Sequence, residues 1–131
     1  MILRQVSVFL ENRNGQVAPV MAKLAEAGIN LKAVALAESE RFGILRLIVD
    51  DPDAAAALVR GMGITVQVVS VFAVRVAHRP GALAELLALF DGTDVSLRYL
   101  YTEFAAGDEA MLLMRLQPED EASRLLAAAG Y

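Results

Sequence analysis

Apolar positions along the chain change period in a fixed order, and the order occurs twice. Leu3 to Leu10 and Val71 to Val76 are rich in β-branched and large apolar residues, which predicts a strand at each. Each run leads into a polar turn with glycine. Apolar residues then recur at i, i+3, i+4 and i+7, as Val17, Val20, Met21 and Leu24 and again as Leu83, Leu86, Leu87 and Phe90, which is one face of an amphipathic helix. Gly28 stops the first helix, and Gly92 falls near the end of the second. Two strand pairs follow, Asn30 to Glu38 with Ile44 to Asp50 and Ser96 to Phe104 with Ala110 to Leu116, joined by loops at Ser39 to Gly43 and Ala105 to Glu109. Asp51-Pro52 opens another helix with an N-cap and a first-turn proline, running through Ala54 to Arg60 until Gly61. Pro118 to Ala129 repeats it less cleanly. Ile64 to Val69 then closes a β-α-β-β-α-β unit, the ferredoxin-like split arrangement.

Sliding the chain against itself by 66 residues lays Arg13-Asn14-Gly15-Gln16-Val17-Ala18 over Arg79-Pro80-Gly81-Ala82-Leu83-Ala84. The same offset pairs Ile29-Asn30-Leu31-Lys32 with Val95-Ser96-Leu97-Arg98 and Pro52 with Pro118. The expected fold is therefore α+β: two ferredoxin-like modules in tandem, 1–69 and 70–131, with antiparallel sheets and helices on one face. The second module lacks a clear final strand, because Gly130-Tyr131 closes the sequence. In the usual 4-1-3-2 strand order its first strand would lie bare, and bare edges invite pairing. Either the Ile64 to Val76 segment serves both sheets or another chain covers the edge; the expectation is a homodimer.

Composition narrows the functions open to such a fold. The chain has 131 residues, a formal net charge of -4, one His and no Cys or Trp. Cysteine nucleophiles, thiolate metal sites and disulfide scaffolds are excluded, and the acidic balance argues against a nucleic-acid partner. Hydrophobic residues make up 56%, with mean hydropathy +0.47, but 23 residues are Ala, which suits close packing rather than lipid contact. The longest apolar stretch, Ile64 to Val76, is broken by Gln67, Ser70 and Arg75 and is shorter than the roughly 20 residues a bilayer needs. No membrane partner is expected, Met1 to Leu10 does not read as a signal peptide, and the default location is the cytoplasm.

The two strand-to-helix loops carry the candidate chemistry. At Asn12-Arg13-Asn14-Gly15 and His78-Arg79-Pro80-Gly81, glycine allows close backbone approach, and the N–H groups of Gly15 to Val17 and Gly81 to Leu83 lie at the positive end of a helix dipole. A small carboxylate could bind there; alternatively, glycine serves the turn alone. Arg13 and Arg79 either pair with a carboxylate or simply solubilise. His78 has no second His to make a metal site and reads as a solvated loop residue. Tyr99 and Tyr101 share one strand face where the first copy has Ala33 and Ala35, and read as packing rather than an aromatic-ligand pocket. Gly61-Met62-Gly63 reads as a helix stop. Glu38, Glu40 and Arg41, and Asp108 with Glu109, read as solvated. No carboxylate spacing suggests a metal or an acid/base pair, and no Ser sits in a nucleophile elbow.

An apolar strand, Arg-Pro-Gly-Ala-Leu at 79 to 83, an amphipathic helix and Asp-Val-Ser-Leu at 94 to 97 together resemble the ACT domain. Arg-Asn-Gly-Gln-Val at 13 to 17 with Gly-Ile-Asn-Leu at 28 to 31 is similar, so the resemblance covers nearly the whole chain as a tandem pair. It implies a regulatory, non-catalytic protein without a cofactor, binding an amino acid or related small acid such as an aryl acid and signalling to a partner metabolic enzyme. ACT modules join second strands side by side and hold ligand between one module's first loop and its neighbour's second strand. The implied ligand-binding residues are Asn12, Arg13, Asn14, Gly15, Gln16 and Val17, with Asn30 and Leu31. In the second copy they are Arg79, Pro80, Gly81, Ala82 and Leu83, with Ser96 and Leu97. Departures from the family pattern at Asn14, His78 and Ser96 leave room for a ligand-free interaction scaffold. A third reading, an acylphosphatase-type hydrolase, would use Arg13 with a neighbouring Asn but leaves the duplication unexplained.

Overall fold

The computed structural model describes residues 1–11, 15–38, 42–103 and 107–131. Contacts divide them into a first unit, Arg4–Ser70, and a second unit, Met1–Leu3 with Val71–Tyr131.

The first unit holds β1 (Ile2–Glu11) from Arg4 onward, α1 (Val17–Glu26), β2 (Leu31–Glu38), β3 (Phe42–Val49), α2 (Pro52–Gly61) and the start of β4 (Thr65–Ala77). Its strand order is β2-β3-β1-β4, with β3 antiparallel to both β1 and β2. Alternate residues Val6, Val8 and Leu10 of β1 point to one face and meet Val20 and Leu24 of α1 and Ala55, Ala56 and Val59 of α2. The period-2 and period-3.6 patterns thus converge on one core, with both helices on the same face. At the start of α2 the Asp51 carboxylate accepts the Ala54 N–H at 3.1 Å, and Pro52 takes the first turn. The helix stops at Gly61, and Gly63 turns the chain with φ +80°.

The second unit repeats this with α3 (Ala82–Ala88), β5 (Ser96–Thr102), β6 (Glu109–Gln117) and α4 (Glu119–Ala128). Phe72, Val74 and Val76 of β4 pack with Leu86 of α3, Met114 and Leu116 of β6 and Leu126 of α4. Leu100 joins this core, so Tyr99 and Tyr101 point to the other face, where their rings stack at 6.5 Å between centroids.

One of the two alternatives left open by the sequence, that the Ile64 to Val76 segment serves both sheets, is what the structure has. The segments read as separate strands at Ile64 to Val69 and Val71 to Val76 form a single 13-residue β4 that gives residues 65–70 to the first unit and 71–77 to the second. The edge of the second unit that was expected to lie bare is occupied. Met1 C=O accepts the Ala73 N–H at 2.8 Å, and the Met1 amine donates to Ala73 C=O at 3.4 Å. That exchange is an antiparallel hydrogen-bonded pair, so residues 1–3 act as the fourth strand in the order β1-β4-β6-β5. No second chain is needed to cover this edge. Among the described residues no helix is long and apolar enough to cross a membrane.

Candidate functional site

Both strand-to-helix loops close on a left-handed glycine, Gly15 at φ +80° and Gly81 at φ +88°. A side chain is strained in that region, and glycine lets each loop turn into its helix without that penalty. Nothing lies within 4 Å of where a Gly15 β-carbon would stand, so backbone strain alone selects glycine there. Neither helix is capped by a side chain: Gln16 before α1 and Gly81 before α3 make no capping hydrogen bond. In α3 the first N–H, that of Ala82, donates to the Arg79 carbonyl at 3.3 Å, whereas no side chain of the N-cap residue takes up the first N–H groups of α1, which is where an anion could be received.

The electrostatics of the two loops diverge. In the second unit Arg79 Nη2 donates to Glu85 Oε2 at 2.7 Å and Nη1 donates to Oε1 at 3.1 Å, a bidentate pair. Nη1 also reaches the Pro80 carbonyl at 3.3 Å. The guanidinium holds the Glu85 carboxyl below the usual carboxylate range, through the hydrogen bonds first and the charge second. Glu85 also lies in the first turn of α3, where a negative charge offsets the dipole. In α1 the first turn holds no acidic residue, and the position equivalent to Glu85 is Pro19. Among the described residues, α1 is the one helix of four with neither a side-chain cap nor a first-turn carboxylate.

Two recesses adjoin the start of α1 and a third lies beside them along the strands, all within the first unit. The largest, about 400 Å³, is lined by the end of β1, Gln16, Phe42 and the turn from Met62 to Thr65. A recess of about 100 Å³ shares Glu11 and Gln16 with it and adds Val17, Leu36 and Glu38. One of about 330 Å³ shares Phe9 and Phe42 and adds Ala37 and Ile44.

Of the residues singled out from sequence, Asn12, Arg13 and Asn14 lie outside the described residues, as do Glu40, Arg41 and Phe104. Gly15, Gln16 and Val17 come together at the start of α1, with Gln16 and Val17 lining recesses there. Asn30 sits one residue before β2, where its N–H donates to Asp50 Oδ1 at 3.2 Å and its carbonyl accepts the Asp50 N–H at 3.3 Å. Leu31 packs on the core of the first unit and Ala82 is buried in that of the second. Arg79 and Pro80 are tied to one another and to Glu85, Leu83 is partly exposed on α3, and Ser96 and Leu97 open β5 on the surface. His78 is exposed, its N–H donating to the Asp108 carbonyl at 2.9 Å. The sequence reading did not single out Phe9, Glu11 or Phe42, and it took Gly61-Met62-Gly63 as a helix stop alone. The signal for them was available only in part, in the coincidence of a large apolar residue at each end of the β1 and β3 strands.

A βαββαβ unit and a second βαββα unit whose fourth strand is supplied by residues 1–3, each turning into its first helix through a left-handed glycine, define a pair of ACT domains. A family model described as an ACT domain pair matches residues 1–128, and the chain belongs to that family. Its fold is similar to the crystal structure of protein BT0572 from Bacteroides thetaiotaomicron, at 35% identity and TM-score 0.90, covering 98% of this chain and 89% of that one. The regulatory subunit of aspartate kinase from Thermus thermophilus, in its ligand-free form, shares the fold at 14% identity and TM-score 0.65, covering 98% and 92%. The corresponding subunit from Thermus flavus matches at 15% identity and TM-score 0.63, again covering 98% and 92%. Among curated proteins none matches.

Proposed function

We propose that the chain is a non-catalytic regulatory protein that binds an amino acid or related small carboxylate and passes its occupancy to a partner enzyme. The observation that carries this is the start of α1: an uncapped helix N-terminus with no first-turn carboxylate, opening onto recesses of ligand size, in an ACT domain pair. The ligand carboxylate accepts from the N–H groups of Gln16 and Val17. The fold shared with regulatory subunits of aspartate kinase supports a regulatory output. In this reading the outer strand β2, at one end of the strand order, pairs with β2 of a second copy, and ligand bound against that edge favours one arrangement of the pair. That differential affinity is all that can shift the equilibrium. Thermal-shift screening of the purified chain against the common amino acids and aryl acids tests it: a ligand at 100 times its Kd adds about 2.7 kcal/mol of stability. No shift with any of them sinks the reading in favour of a ligand-free scaffold.

A further inference from the structure

We draw no further inference here: the strongest candidate, the recess of about 220 Å³ in the second unit between Ile2, Phe72 and Val74 on the sheet and Leu126 of α4, is an apolar groove for which nothing in the structure shows what covers it.

Discussion

The loops at Gly15 and Gly81 both close on a positive-φ glycine and differ in the charge of the helix they enter. Both glycines have positive φ, both helices start without a side-chain cap, and the flanking apolar residues align at one offset. Yet α3 has Glu85 in its first turn with Arg79 clamped on it, whereas α1 has Pro19 at the Glu85 position and no first-turn acid. The carboxylate that a ligand would bring to the second loop is already supplied by the chain. Duplication preserved what the fold needs, the turn and the apolar face, and left the charges free to drift apart. The two helices differ in length as well: α1 has 10 residues and α3 has 7. A shorter helix gives the second loop fewer turns to anchor it.

The strongest perturbation of this comparison is in the cores beneath the loops. Leu86 of α3 and its counterpart Val20 of α1 are both fully buried. Leu86→Ala should destabilise the protein by about 2–5 kcal/mol, as large-to-small core changes do. Val20→Ala removes two carbons rather than three and should cost less. Urea denaturation of the two variants measures the difference. Equal losses would mean that the second loop rests on its helix no more heavily than the first.

Next in size are the glycines themselves. Gly15→Ala and Gly81→Ala force a β-carbon into the left-handed region, at about 1–2 kcal/mol each. Since no atom crowds the Gly15 position and only the far end of Arg79 lies near that of Gly81, the two stability losses should be similar. Ligand binding should separate them: Gly15→Ala weakens it and Gly81→Ala does not. Calorimetric titration of both variants with whichever amino acid raises the thermal midpoint of the native chain reads this directly, and equal weakening would restore the symmetry that the charges argue against.

Much of this architecture was legible in the sequence because its determinants are local. Hydrophobic period, Asp51-Pro52 and the glycines after each helix place nine of the ten elements within a few residues of where they stand and read the tenth, β4, as two strands. What could not be read is non-local. The bond between Met1 and Ala73 joins residues 72 apart, and no pattern around Met1 announces that its partner is the edge of the other repeat. The uninterrupted β4 was hidden for a related reason: a long apolar run reads equally as one strand or two until its neighbours are known. The candidate site divides in the same way. Gly15 to Val17 are visible as a motif, but the wall of Phe9, Phe42 and Ile64 comes from three separate element ends that only the sheet brings together. Arg79 was visible as a possible carboxylate ligand, and the carboxylate it holds proves to be that of Glu85.

Helix capping gives a smaller contrast between the repeats. Asp51→Ala removes the hydrogen bond to the Ala54 N–H and should cost about 1 kcal/mol. At the aligned start of α4 the N-cap is Pro118, which makes no side-chain hydrogen bond, so Pro118→Ala loses none. Chemical denaturation of the two variants should rank Asp51→Ala as the more damaging.

The smallest effect on stability, and the most direct test of the loop comparison, concerns the Arg79–Glu85 pair. Both side chains are more than half exposed, so removing either should change stability little. Its signature is in the titration. The folded pKa of Glu85 is depressed, chiefly by the Arg79 hydrogen bonds, so whatever the pair contributes is present above the unfolded glutamate value of about 4.3. It is lost as pH falls through the lower folded value. A carboxyl-detected NMR titration should therefore find the Glu85 midpoint below that value in the native chain and returned towards it in Arg79→Ala. Acidification past this point frees the guanidinium and removes the one first-turn carboxylate of α3, which brings the second loop closer to the electrostatic state of the first. A Glu85 midpoint that ignores Arg79→Ala would mean the arginine is not committed to it in solution, and the main argument for treating the two loops as chemically different would fall.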